Sequence, residues 1–159
     1  MQAATEEWIE RQRVVKIAHS WERTPYRHMG RVKGAGVDCL TLLAEIFAEA
    51  KLVPKVEVPF YPQDWMHHRD AERYMDGLLK YAKEIEGPPQ PGDIALWKMG
   101  RCFSHGALVV QWPLIIHAQA GCMVTQEDAE KATWLTHVGE NTADKGKPRE
   151  HKFFSFWAK

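Results

Sequence analysis

The spacing of apolar residues changes once along this chain, at Gly87-Pro88-Pro89, and that change limits the fold more than any single motif. Before it, apolar side chains recur at intervals of three and four; after it they come in short runs separated by Gly, Ser or Pro. Trp8, Ile9, Val14, Val15, Ile17, Ala18 and Trp21 predict a first helix from Thr5 to Trp21, with Pro25 just beyond its end. Asp38 reads as an N-cap, and Cys39, Leu42, Leu43, Ile46, Phe47 and Ala50 follow on one stripe of a second helix. Cys39 therefore falls in the first turn. Pro54, Pro59 and Pro62 make Leu52 to Trp65 an extended connector, and Asp70 to Ile85 reads as a third helix. Beyond the switch, Ile94-Trp97, Gly106-Val110 and Leu114-Ala118 read as strands, Met123-Val124 as a short one, and Lys152 to Trp157 as a closing strand. Glu127 to Ala132 reads as a helical turn and Asn141 to Pro148 as a mobile loop. Helices first and strands second predict an α+β fold, with N-terminal helices packed on a small antiparallel β-sheet.

The chain of 159 residues is the size of one globular domain and long enough to bury about two thirds of its unfolded surface without a metal or disulfide framework. Lys plus Arg number 21 and so do Asp plus Glu, which argues against a protein that grips nucleic acid, since phosphate binding needs a basic excess. No apolar run is long enough for membrane insertion, and the acidic start, Met1 to Glu7, predicts no secretory signal. Three cysteines, Cys39, Cys102 and Cys122, cannot all pair within one chain, and their spacing matches no CxxC motif. Synthesis in a reducing cytoplasm is expected.

Cys39 is the first candidate for chemistry, because unsatisfied N–H groups in the first turn of a helix favour a thiolate and can hold an oxyanion. Such a nucleophile needs a base, normally a histidine held by a third polar group. His105 heads the run Gly106-Val110, and His117 lies near the end of the run Leu114-Ala118. A turn at Gln111-Trp112-Pro113 would pair these strands and bring both side chains to one end of the sheet. Which face each histidine takes does not follow from their spacing, because the turn lies between them. Taken singly, each residue has a plainer explanation: free cysteines are usually buried packing residues, and histidines at strand ends are mostly structural or solvated. Cys102 and Cys122 flank the two histidines at spacings that fit no zinc finger, so no metal site is expected. His67-His68 reads as a solvated helix entrance. Arg27, Arg31 and Lys33 form a basic loop suited to attracting an acidic ligand. Among the seven tryptophans, Trp65 and Trp97 are the candidates for a glycan platform.

Longer stretches carry a family likeness. Ala18-His19-Ser20-Trp21-Glu22-Arg23-Thr24-Pro25-Tyr26-Arg27, a Gly-rich loop and Gly36-Val37-Asp38-Cys39-Leu40-Thr41-Leu42 resemble the opening of the NlpC family of papain-like cell-wall peptidases. Pro91-Gly92-Asp93-Ile94-Ala95-Leu96-Trp97, Ser104-His105-Gly106-Ala107-Leu108-Val109 and Ile116-His117-Ala118 resemble its strand entry, its histidine strand and the strand of its third polar residue, in the same order. The resemblance implies a papain-like cysteine peptidase domain over residues 1–159. Cys39 would be the nucleophile, His105 the general base and His117 the residue orienting it. Tyr26, Asp38 and Ser104 would contact substrate or the oxyanion. Leu40 and Thr41 stand where many relatives have serine and glycine, so a polar substrate contact there is replaced. The implied substrate is the peptidoglycan stem peptide, cut between D-glutamate and a diamino acid, with no cofactor. The absence of a leader and of wall-binding repeats resembles phage and prophage members, which implies phage tail proteins as partners and a virion-associated location. Two rivals use the same residues: an acyltransferase or amidase acting on a lipid or glycan-peptide substrate, and an inactive tail or wall-binding component.

Overall fold

The computed structural model describes residues 5–65, 72–139 and 142–159. Helix α1 (Glu6–Ser20) starts at Thr5, whose hydroxyl accepts from the Trp8 N–H at 3.2 Å. Its buried side includes Val14, Val15 and Ala18, as the periodicity predicts, but Trp8 and Ile9 are exposed and Arg11 is buried in their stead. The guanidinium goes inside because acceptors wait there. It donates to Asp93 at 2.8 Å, to the Pro91 carbonyl at 2.9 Å and to Glu7 at 2.8 Å, and lies 4.1 Å from the Trp157 ring centre. A buried charge held this way is costly to break, so α1 is pinned to the entry of the sheet.

A two-residue hairpin, β1 (Arg31–Val32) with β2 (Gly36–Val37), leads into helix α2 (Cys39–Glu49). Asp38 caps α2 in a capping box: its carboxylate accepts from the Leu40 and Thr41 N–H groups, and the Thr41 hydroxyl accepts from the Asp38 N–H. Leu42, Leu43, Ile46 and Phe47 bury the inner stripe of α2 in the main core.

The third helix is shorter than its sequence pattern predicts. Asp70 lies outside the described residues, helix α3 covers only Arg73–Leu78, and Lys83–Ile85 is a strand, β3. Tertiary pairing overrides the local pattern there, because Lys83–Ile85 lies against the strand formed by His151–Ser155. The sheet continues with β4 (Ile94–Met99), β5 (Cys102–Gln111), β6 (Leu114–Ala118) and β7 (Val124–Asp128). A short helix, α4 (Thr133–Thr136), precedes β8 (His151–Ser155). Among the described residues these strands form a six-stranded antiparallel sheet in the order β3-β8-β4-β5-β6-β7. The helical turn expected at Glu127–Ala132 therefore begins as strand: β7 runs through Asp128, pairing with β6 over its whole length, and the helix forms only at Thr133–Thr136.

One face of the sheet packs on α1 and α2 through Ile94, Leu96, Leu108, Ile116 and Phe154. The other carries a smaller core of Ala95, Trp97, Ala107, Val109, Ile115 and Leu135. Two irregularities in β5 set what stands at its beginning. Between β5 and β6 the register slips once between Val109 and Gln111. Trp97 pairs with His105 but Lys98 with Phe103, which leaves Ser104 without a partner in the β4–β5 ladder. Among the described residues no helix is long and apolar enough to cross a membrane.

Candidate active site

Cys39 is the first residue of α2, so its sulfur lies beside backbone N–H groups that the helix itself cannot use. The N–H groups of Gly106, Cys39 and Leu40 favour the thiolate, but desolvation of the sulfur and the nearby Asp38 carboxylate outweigh them and push the thiol up to about 12. The resting group is a protonated thiol, which donates to the Ser104 carbonyl at 3.5 Å. That carbonyl belongs to the residue left unpaired by the β4–β5 irregularity. The Tyr74 hydroxyl donates to the Cys39 carbonyl at 2.9 Å and so ties α3 to the start of α2. Gly106 leaves room for that phenol: a Cβ there would lie 2.2 Å from the Tyr74 oxygen.

The β5–β6 slip decides the facing of the two histidines. The hairpin register that pairs Gln111 with Leu114, carried on unbroken, would put them on opposite faces; the observed pairing of Leu108 with Ile116 puts them on the same one. His105 Nε2 and His117 Nδ1 are 2.8 Å apart, and both residues are buried. They share the face of Trp97 and Ala107, away from the α2 side, and the groove forms around the beginning of β5. Desolvation, then His117 and then Arg149 hold His105 well below the ordinary histidine range. Burial also lowers His117, with Glu127 pulling the other way.

Cys39, His105, Ser104 and Tyr26 line one groove of about 590 Å³, together with Gln63, Asp64, Met99, Gln119 and Trp134. Tyr26 is half-buried, held by hydrogen bonding of its N–H to the Cys122 carbonyl at 3.0 Å and by a bridge to Val37. Burial, then Cys39, then Asp38 push its phenol up, so it stays protonated and can donate. Ser104 turns its hydroxyl inward to the Met99 carbonyl at 3.3 Å. Asp38 is 2 % exposed, and besides its cap bonds it accepts from the Met29 N–H at 2.8 Å and from the Tyr61 hydroxyl. Its bonds hold the loop before α2 to the helix.

Several other sequence candidates turn out to be packing residues. Trp65 and Trp97 are buried and offer no face to a glycan. Arg31 bonds Glu45 and the Val56 carbonyl, Lys33 bonds Ser20 and Glu49, and Arg27 bonds the Ala35 carbonyl, so the basic loop is tied down by its own neighbours. Cys102 is buried in β5 and Cys122 is exposed. Among the described residues no cluster of three or more His, Cys, Asp or Glu is arranged to hold a metal ion. His67 and His68 lie outside the described residues.

Two residues beside the histidines escape sequence reasoning. Glu127 Oε2 lies 2.7 Å from His117 Nε2. Trp134 donates from its indole to Glu127 Oε1 at 3.4 Å, stacks on His117 with ring centres 5.5 Å apart, and meets His105 edge-on at 5.1 Å.

No family model matches the chain, and no curated protein matches it. Solved structures do. The NlpC/p60 domain of the peptidoglycan hydrolase SagA superposes with a TM-score of 0.54 at 16% identity, over 76% of this chain and 90% of that one. NlpC2 of Trichomonas vaginalis gives 0.63 at 16% identity, over 100% of this chain and 49% of its own. The fold is that of the NlpC/p60 domains. A Staphylococcus aureus protein similar to lipoproteins of the NLP/P60 family gives 0.54 at 20% identity, over 84% of this chain and 40% of its own. The NlpC/p60 likeness thus spans nearly all of the SagA domain but half or less of the other two chains. At these identities it is a likeness of fold, the papain-like α+β arrangement expected from the sequence.

Proposed function

We propose that this chain is a cysteine endopeptidase of peptidoglycan stem peptides, with Cys39 as nucleophile, His105 as general base and His117 as its orienting partner. The observation that carries the reading is a single groove containing a cysteine at a helix N-terminus and a histidine whose far nitrogen meets a second histidine at 2.8 Å. Cys39 is a protonated thiol and His105 a neutral imidazole, so the pair enters the reaction as acid and base in the states the first step needs. His105 takes the thiol proton as sulfur attacks the scissile carbonyl; the N–H groups around the sulfur and the Tyr26 hydroxyl stabilise the oxyanion. The imidazolium then protonates the departing amine, leaving a thioester that water hydrolyses with His105 again as base. Ser104 shapes the groove beside the nucleophile, while Asp38 acts through the position of α2. The bond between D-glutamate and a diamino acid, a peptidase domain spanning residues 1–159, and delivery by a phage or prophage tail belong to the same proposal and rest on the sequence resemblance.

A second observation favours an acyltransferase. An apolar cavity of about 680 Å³ lies behind α2, lined by Leu40, Leu43, Phe47, Tyr74 and Phe156, and Leu40 adjoins the nucleophile. Digestion of purified peptidoglycan and of free stem peptides, with product masses compared between wild type and Cys39→Ala, separates the readings. New amine and carboxyl ends made only by wild type are expected. Intact substrates alongside selective acylation of Cys39 by lipid thioesters would favour acyl transfer, and an unreactive Cys39 would favour an inactive component.

A further inference from the structure

A carboxylate can only accept hydrogen bonds, and a neutral imidazole carries one N–H. Those two facts determine every proton in the chain of contacts behind His105. Glu127 Oε2, 2.7 Å from His117 Nε2, requires the proton on that nitrogen. The His117 Nδ1 is then a lone pair, and the nitrogen 2.8 Å from it, His105 Nε2, must be the donor. The remaining nitrogen of His105, Nδ1, is left as the only proton acceptor of its ring. The opposite assignment would bring a lone pair of His117 against the carboxylate.

We infer that Glu127 is a positioning residue, whose carboxylate dictates the tautomers of His117 and His105 in succession and so keeps His105 Nδ1 free to act as base. The inference rests on the peptidase reading of Cys39 and His105. Burial supports it: both rings are held neutral below the ordinary histidine range, so tautomer and not charge is the property left to control. Trp134 completes the arrangement. Its indole N–H takes the other carboxylate oxygen, and its ring lies nearly parallel to His117, 13° between planes, so neither the carboxylate nor the imidazole is free to rotate away. The side chain of Glu127 is 30 % exposed and reaches these contacts from β7, a strand that contributes no other member of the site.

The test uses the full chain and the isosteric variant Glu127→Gln. An amide can donate as readily as it accepts, so glutamine fills the same space but no longer dictates a direction. Imidazole nitrogen–proton correlation spectra at pH 7.5 are expected to show wild-type His105 and His117 both protonated on Nε2, and a mixture of tautomers in Glu127→Gln. Alkylation of Cys39 by iodoacetamide, followed on its tryptic peptide, is expected to slow on the order of tenfold in the variant. Glu127→Asp, which keeps the charge but shortens the reach, should retain the wild-type tautomers more fully than Glu127→Gln. A wild-type His117 protonated on Nδ1, or a Glu127→Gln protein with wild-type spectra and alkylation rate, would overturn the role of Glu127 alone. A wild-type Cys39 that alkylates no faster than Cys39 of His105→Ala would overturn the nucleophile and base pair itself, and any catalytic meaning of Glu127 with it.

Discussion

At the scale of single residues, Asp38 shows how a position next to the proposed nucleophile can serve the fold. Its two oxygens receive the Leu40, Thr41 and Met29 N–H groups and the Tyr61 hydroxyl in a nearly solvent-free setting. Replacement by alanine removes a helix cap and strands further buried donors, so Asp38→Ala should lose about 2–4 kcal/mol, read from urea denaturation midpoints. On the proposed peptidase reading, peptide hydrolysis per folded molecule should fall as well, since the first turn of α2 carries Cys39. Cys39, His105 and His117 were legible because each sits in a stretch of distinctive wording. Glu127 was not, because Glu127-Asp128-Ala129-Glu130 reads locally as the polar start of a helix and nothing in it points to a histidine ten positions earlier. Only the β6–β7 pairing brings the two together.

Among the elements, α1, α2, β4, β5 and β6 follow from periodicity, capping and turn residues, each within a few positions of its predicted bounds. What periodicity does not encode is pairing between distant segments. Lys83–Ile85 became a strand because β8 lies against it, and β8 lies between β3 and β4, neither of which adjoins it in the sequence. Phe154 of β8 is fully buried against the helix-bearing core. Truncating it opens a cavity where the sheet's two portions meet, and Phe154→Ala should lower stability by about 3–5 kcal/mol, measured by the same denaturation assay. The register slip in β5 is equally silent in the sequence, since Gly106-Val110 reads as uninterrupted strand and Gln111 as the start of the turn. Yet one residue more or less in that hairpin would separate the histidines.

For the molecule as a whole, the buried histidines tie stability to acidity. His105 is held well below its ordinary range in the folded chain but returns to about 6.5 on unfolding. Above that value neither state binds a proton there and the full stability is present. As the pH falls below about 6.5 the unfolded chain takes up a proton that the folded one refuses, and stability drops until the lowered folded value is reached. The expected slope is up to about 1.4 kcal/mol per pH unit from His105, with a smaller share from His117 because Glu127 offsets its burial. Denaturation midpoints between pH 7.5 and 5 should show it, and His105→Asn should flatten the slope. A slope unchanged by that substitution would mean that other groups set the acid limit.

The place of β8 in the sheet also bears on when such a molecule comes into being on the ribosome. Translation reaches His151–Ser155 only after every other described strand has emerged, yet β4 has no partner on one side until β8 arrives, and β3 has none at all. Over roughly the last quarter of its synthesis a nascent chain therefore holds its cysteine and both histidines without a finished sheet to align them. Loss of this segment by premature termination would leave an open strand edge, a hazard for aggregation.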